Sequence, residues 1–491
     1  MPPPTAADNA ASDSAGSAAA FQQLRRAHWD AVAERFEEGS PAGRFYHQEL
    51  VHYYRLLVPP GARVLEVGCG QGDLLAALRP AFGVGVDLSA AMVRQASSRH
   101  PHLRFIQADA HDLELLDTFD VIVLSDLLND LWDVQAVLEK LHTIASPRTR
   151  LVLNMYSWVW QLPLLAAQRL GLSRPTLLQN WLSIEDVANL LRLTGFEMIK
   201  GSREIVCPVP IPIVARLLNR IGAKLWPVSA LALTNFVVAR QSAHQNRHEQ
   251  GDPPRVSVIV PARNEAGNVE AIFARTPEMG SGTELIFVEG HSTDETPATI
   301  RRAIEHHPER RARMFSQTGQ GKGDAVRLGF SQATGDVLMI LDADLTVLPE
   351  HLPRFYNALV ADRGEFVNGV RLVYPMEAQA MRFFNLLGNK FFSLAFSWLL
   401  GQPIKDTLCG TKVLWKRDYE RIAANRQYFG DFDPFGDFDL LFGAAKLSLK
   451  IVDLPVRYHE RTYGTTNIQR WRHGWLLLRM VAFAARRLKF A

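Results

Sequence analysis

The sequence predicts an α/β protein of two consecutive domains with mainly parallel sheets, and three observations carry that expectation. A chain of 491 residues exceeds one ordinary core. Short β-branched runs alternate with helical patterns in both halves, as in βαβ units. Between them "RQSAHQNRHEQGDPPR", residues 240 to 255, is polar and aperiodic and ends in two prolines just ahead of an apolar run. The expected organisation is a disordered tail over 1–20, a first domain over 21–240, a linker over 241–253, a second domain over 254–470 and a basic amphipathic helix over 471–491.

Composition narrows the function classes. With 47% hydrophobic and 21% charged residues the chain reads as globular, and a net charge of +3 gives no argument for nucleic acid. The cysteines at 69, 207 and 409 are odd in number and widely spaced, which indicates neither a disulfide framework nor a zinc site and suggests a reducing cytoplasm. The first residues lack the basic start and apolar core of a signal peptide. The stretch "FFNLLGNKFFSLAFSWLLG", 383 to 401, is interrupted by Asn385, Asn389 and Lys390 and is not expected to cross a bilayer.

In the first half, "VLEVGCGQGDLL", 64 to 75, reads as a strand, a glycine turn and a helix start, with glycines at 68, 70 and 72 that let the backbone pass close to a ligand. Asp73 stands where a GxGxxG dinucleotide fingerprint needs its last glycine, which argues against NAD. Further strand ends carry Asp87, then Asp109 beside Ala110, then Asp126 and Asn129. Polar groups on four successive strand ends place a ligand at the carboxyl edge of a doubly wound, Rossmann-like sheet. This order resembles the class I methyltransferases that use S-adenosylmethionine, over about residues 45 to 240. The resemblance implies that Gly68, Gly70 and Gly72 line the methionine side, Glu66 lies beneath, Asp87 holds the ribose, and Asp109 and Ala110 sit near adenine. The methyl acceptor is not encoded legibly; Asp126 and Asn129 are candidates for its base, with helix capping as the plainer alternative.

The second half opens with "VSVIVPARNEAGNVE", a strand followed by Pro261, Asn264 and Glu265, and continues with "ELIFVEGHSTDET", a strand ending at Glu289. A Gly-Lys-Gly turn containing Lys322 leads into a helix and then into "GDVLMILDADLTV". Residues two apart on an extended strand end point the same way, so Asp342 and Asp344 are expected to share one site. Two such carboxylates repel unless a cation compensates them, and a divalent metal bridging to a diphosphate does so. The order resembles the family 2 glycosyltransferases, over about 254 to 470, and within them the dolichyl-phosphate mannose synthases and related polyprenyl-phosphate sugar transferases. It implies a glycosyltransferase A-type fold, Mg²⁺ or Mn²⁺ held by Asp342 and Asp344, and a nucleotide-sugar framed by Pro261, Asn264, Glu265, Glu289 and Lys322. One departure is plain: where the family usually reads Asp-Asp-Gly-Ser, this chain has Glu289, Gly290, His291, Ser292.

For the acceptor, "KDTLCGTKVLWKRD" and "LPVRYHERTYGTTNI" resemble the family's later segments and make Lys412 and Arg461 candidates for gripping a polyprenyl phosphate. A glycan hydroxyl acceptor instead requires a base, for which Asp437 and Asp439 are candidates, with capping as their alternative. A helix over 382–398 with Ser393 and Ser397 on a polar stripe and Phe391, Leu394 and Trp398 opposite suits a membrane surface. So does the tail 461–491, which has seven Lys or Arg and no acid, although either helix can instead pack on the sheet. The sequence thus points to a bifunctional enzyme in the cytoplasm, peripheral at the inner face of the cell membrane. A chain in which one half only binds is the rival, and oligomeric state is left open.

Overall fold

The computed structural model describes residues 6–34, 41–170, 177–242, 252–371, 383–425, 437–459, 461, 463 and 478–490, with the side chains of 6–17, 383–390 and 437 outside that description. The chain separates into two units, Met1–Ser242 and Ala243–Ala491.

The first unit is a seven-stranded sheet of β1 (Arg63–Val67), β2 (Phe82–Asp87), β3 (Arg104–Gln107), β4 (Val121–Leu124), β5 (Arg150–Tyr156), β6 (Phe196–Glu204) and β7 (Thr234–Gln241), in the order β3-β2-β1-β4-β5-β7-β6. Its first five strands are parallel; β7 runs antiparallel to both β5 and β6. Period-two alternation sets the layers: Val121 and Val123 face one core, Ile122 and Leu124 the other. The helix Ile184–Leu193 is opened by a capping box formed by Ser183 and Asp186. Strand β6 escapes the sequence reading because its residues are mostly half-exposed and it holds Lys200, Gly201 and Arg203.

Residues 6 to 20 differ from the expected disordered tail: they belong to one helix, Ala6–Glu34. Their alanine content favours helix. The helix's far end is tied down, since Asp30 accepts from Ser89 Oγ (2.5 Å) and Ala91 N (3.1 Å), and Trp29 Nε1 donates to Asp130 (2.7 Å).

The second unit is a seven-stranded sheet of β8 (Val256–Ala262), β9 (Thr283–Glu289), β10 (Arg311–Ser316), β11 (Val337–Ile340), β12 (Phe366–Val370), β13 (Lys412–Trp415) and β14 (Ile451–Pro455), in the order β10-β9-β8-β11-β13-β12-β14. All pairings are parallel except those of β13 with β11 and β12. Leu338 and Ile340 face one core, Val337 and Met339 the other. In the helix Phe383–Leu400, Phe392 and Phe396 enter the first of these cores, Ser393 and Ser397 donate to Ile404 O (2.6 and 3.0 Å), and Phe391, Leu394 and Trp398 remain exposed. Of the expected basic helix over 471–491, residues 471–477 and 491 lie outside the described residues, while Met480 and Ala484 pack into the same core. Among the described residues no helix is long and apolar enough to cross a membrane.

Candidate active sites

Among the parallel strands of each sheet the strand order switches direction at one point, between β1 and β4 and between β8 and β11. Loops leaving adjacent strands part there in opposite directions, so the carboxyl edge opens a crevice.

In the first unit the turn Gly68–Gly72 leaves β1 with all three glycines at positive φ, +76°, +52° and +76°. A Cβ at Gly72 would stand 2.6 Å from Phe105 Cζ, so close packing requires that glycine; at Gly70 a Cβ would meet nothing within 4 Å, which leaves room for a ligand against its backbone. Asp87, ending β2, accepts from Gly70 N (2.8 Å) and Ser89 N (2.9 Å), and burial raises its pKa against those two bonds. Its carboxylate thereby fixes the glycine turn and stays partly accessible for a second task. Beneath it Glu66 is buried, Oε2 has no hydrogen-bond partner, and desolvation pushes its pKa well above the carboxylate range. Burial thus favours its neutral form and leaves a polar atom to spare. These features, an orphaned buried oxygen and an open backbone cradle, fit S-adenosylmethionine.

Asp109 caps the short turn Ala110–Asp112 and binds His111 through both its amide (2.9 Å) and its ring Nδ1 (2.6 Å). Burial works to raise Asp109, yet the bonds from His111 outweigh it and hold the carboxylate low. The His111 Nε2 accepts from Asp133 N (3.2 Å), which assigns the ring proton to Nδ1.

Past β4 the structure assembles a polar cluster the sequence did not reveal. Asp126, at φ +54°, accepts from Tyr46 OH (3.0 Å), from Tyr156 OH (3.5 Å) and from the Asn154 amide. Tyr54 OH steadies Asn154 Oδ1 (2.7 Å), and Tyr46 OH also touches Thr234 Oγ1 (3.3 Å). Burial raises Asp126 to about 6 despite those donors. Tyr46 and Tyr54 lie on the helix Pro41–Leu57, far from β4 in sequence. Asn129 is spent elsewhere: fully buried, it donates to Asn180 O (2.6 Å) and accepts from Tyr156 N (3.0 Å).

In the second unit β11 ends at Ile340, and Asp342 and Asp344 stand on the following turn, closed by Leu345 N to Asp342 O (3.2 Å) with Leu345 at φ +53°. They are therefore not on an extended strand end. Nor are they uncompensated: Lys322 Nζ lies 2.6 Å from Asp342 Oδ1, and Arg461 donates to Asp344 Oδ2 (2.7 Å) while reaching Glu265 (3.3 Å). Asp344 Oδ1 also accepts from Thr346 N (3.1 Å) and Oγ1 (2.8 Å), which fixes the turn. Desolvation raises Glu265 to about 7, with Arg461 opposing and Asp344 adding to the shift. The arrangement brings Glu265, Lys322, the Asp342–Asp344 turn and Arg461 together from four separate segments. Two carboxylates on one turn, at a site with cations for phosphate, are a donor set that fits Mg²⁺ or Mn²⁺.

Gly410 closes this site from below. A Cβ there would overlap both Asp342 Oδ2 and Lys322 Nζ. Gly410→Ala is therefore expected to split the Lys322–Asp342 pair and to cut the activity of this site about tenfold or more with the fold retained, a contrast read by activity beside circular dichroism.

Asn264, at φ +57°, accepts from Thr293 N (2.8 Å) and donates its own amide to Ser292 Oγ (3.1 Å). Glu289 accepts from Ser292 N (2.6 Å), and Pro261 lies in β8, where Ala262 is in register with Glu289. The departure Glu289-Gly290-His291-Ser292 thus forms the loop facing Asn264. Lys412 is placed differently from the rest: its ammonium is fully buried, donates to Asn368 Oδ1 (2.7 Å) and Cys409 O, and so supports the Cys409–Gly410 turn from inside. Around it Arg371 and Asp406 form a buried two-pronged pair (2.7 and 2.9 Å). Asp437 opens the helix Asp437–Lys446, its side chain outside the described residues, and Asp439 is buried in that first turn.

Two α/β units with acidic turns at their switch points define a tandem of group-transfer domains on nucleoside-bearing ligands. Residues 42–200 match the family model described as a methyltransferase domain, and residues 257–420 match that of glycosyl transferase family 2. The chain carries a Rossmann-like methyltransferase domain followed by a family 2 glycosyltransferase domain. It is 28% identical over 222 residues to a dolichol-phosphate mannosyltransferase of Pyrococcus furiosus, covering 44% of this chain and 59% of that one. It is 31% identical over 218 residues to an undecaprenyl-phosphate 4-deoxy-4-formamido-L-arabinose transferase of Klebsiella pneumoniae, covering 43% and 62%. The chain thus spans about three fifths of each of these two curated relatives. Among solved structures, magnesium protoporphyrin IX methyltransferase of Synechocystis PCC 6803 with bound SAH aligns at 18% identity over 45% of this chain and all of that one, with a TM-score of 0.34.

Proposed function

We propose that the chain is a bifunctional enzyme: its first unit transfers a methyl group from S-adenosylmethionine, and its second moves a sugar, with inversion, from a nucleotide-sugar to a polyprenyl phosphate. The observation that carries the second assignment is the cluster of Asp342, Asp344, Lys322, Arg461 and Glu265 at the β8/β11 switch point. Support for the acceptor class comes from relatives whose names specify dolichol phosphate and undecaprenyl phosphate.

In the sugar transfer, Mg²⁺ or Mn²⁺ held by Asp342 and Asp344 would neutralise charge on the departing diphosphate. Lys322, at the start of the helix Lys322–Gln332, offers a second positive charge to the same phosphates. Arg461 can exchange its carboxylate partners for the acceptor phosphate, whose charge its planar fork matches. An ionised phosphate attacks without a base, so this reading needs none from Asp439, which is buried. In the methyl transfer, S-adenosylmethionine supplies the electrophilic methyl. Asp87 would accept from the ribose, Gly70 would let the ligand approach the backbone, and Glu66 would offer its unpartnered oxygen from beneath.

In this reading the enzyme works as a peripheral protein at the inner face of the membrane, and the exposed Phe391, Leu394 and Trp398 of the helix Phe383–Leu400 support it as contacts. The test is nucleotide release from UDP-, GDP- and dTDP-sugars with Mn²⁺, with and without a short polyprenyl phosphate in detergent. Lipid-dependent release with labelled sugar entering the organic phase is expected; release without the lipid, or none, refutes the acceptor. For the first unit, Asp87→Ala is expected to weaken S-adenosylmethionine roughly 10–100-fold in calorimetry, the worth of a charge-assisted hydrogen bond.

A further inference from the structure

Neither site uses a large apolar surface on the first unit. Trp226, Ile213 and Leu162 are 85%, 83% and 75% exposed, and Trp158, Leu217 and Leu225 stand open on the same two segments, 158–170 and 205–231. Exposed apolar side chains scattered singly need no explanation, but a concentration of them does. The fold joins these segments: Trp160 Nε1 donates to Leu231 O (2.8 Å) and Ser157 N to Leu233 O (2.7 Å). The longer one is held in shape by buried Asn219, which accepts from Cys207 N (2.8 Å), donates to Cys207 O (3.0 Å) and receives Tyr53 OH on its carbonyl (3.0 Å).

Charge selects what covers this surface. No Asp or Glu occurs between Glu139 and Glu185 or between Glu204 and Glu249, whereas Arg169 and Arg216 are exposed. A second copy of this chain would bring arginine against arginine across a two-fold contact, which disfavours self-association. An anionic bilayer answers both features, since tryptophan and aliphatic side chains enter the headgroup boundary while guanidinium groups meet lipid phosphates.

We propose that residues 158–170 and 205–231 form a docking face for an anionic membrane, distinct from the helix and tail of the second unit, so that the methyltransferase domain meets its acceptor at the bilayer interface. Thr234, which touches Tyr46 beside Asp126, follows the docking segment closely in the chain. The proposal rests on the methyltransferase reading only for the acceptor's location; calorimetry with S-adenosylmethionine tests that reading separately.

The experiment is flotation of the full chain with phosphatidylcholine vesicles, with and without one-third phosphatidylglycerol, comparing wild type with an Ile213→Glu, Trp226→Glu double variant. The expected result is a partition onto anionic vesicles about tenfold or more lower for the variant, with S-adenosylmethionine affinity unchanged. Equal flotation of the two proteins overturns the proposal, because membrane binding would then belong to other segments. A vesicle-free dimer that the double variant abolishes also overturns it, assigning the face to a second copy. Should the double variant not fold, quenching by brominated lipid decides: it should fall in Trp226→Phe relative to wild type, and an unchanged signal refutes the docking.

Discussion

Asp344→Asn is expected to lower sugar transfer by about 10²–10³-fold in buffer replete with Mn²⁺, while the melting temperature stays close to that of wild type. Asparagine keeps an oxygen for the amide and hydroxyl of Thr346, so the turn after β11 stays closed. What it removes is the charge that holds Arg461 at 2.7 Å and helps raise Glu265 to about 7. Arg461 then keeps its contact with Glu265, and Glu265 ionises more readily. Two readings separate cleanly. If Asp344 serves the metal and the diphosphate, the variant loses activity and binds Mn²⁺ plus nucleoside diphosphate weakly, as titration calorimetry reports. If the carboxylate only anchors Arg461, Mn²⁺ binding survives and Arg461→Ala shows the same loss.

Asp126→Asn is expected to reduce methyl transfer by about 10²–10⁴-fold, the usual worth of a general base. Label from S-adenosylmethionine entering a total lipid and glycan extract is the measurement. With a pKa raised to about 6, Asp126 is largely ionised at neutral pH, so the wild-type rate should climb as pH rises through about 6 and level off above it. The variant's profile should lack that step. Stability has the opposite sign. Because the folded pKa lies above the unfolded value, the native state bears the cost of a buried charge at pH 8, and that cost fades as pH falls through 6 towards 4. The variant should therefore not be less stable than wild type at pH 8. A large drop in melting temperature with unchanged methyl transfer would make Asp126 a structural residue.

Several features were legible because they are written locally. Glycines at 68, 70 and 72 behind an apolar run announced a tight turn, and all three adopt positive φ. Ser183 lies just ahead of the acidic residues Glu185 and Asp186, a local helix-start signal, and its capping box forms. Other features were not local. Strands β10, β12 and β13 were missed; β12 and β13 become strands by pairing with partners distant in sequence, such as Asn368 with Asp453 and Val413 with Met339. Lys412 read as an exposed cation because nothing in "CGTKV" reveals that Asn368 and Cys409 will enclose it.

The sequence by itself determined the two-domain α/β class, the order of acidic strand ends and the chemical types at each, since periodicity and turn residues act over a few neighbours. Tertiary structure alone decided which charges meet. It set Lys322 on Asp342 and Arg461 on Asp344, where the sequence argument had two bare carboxylates, and it gathered Tyr46, Tyr156 and Asn154 around Asp126. The physical reason is that a charge's state depends on burial and on partners within a few ångströms, and here those partners are remote in sequence, Arg461 lying 117 residues from Asp344.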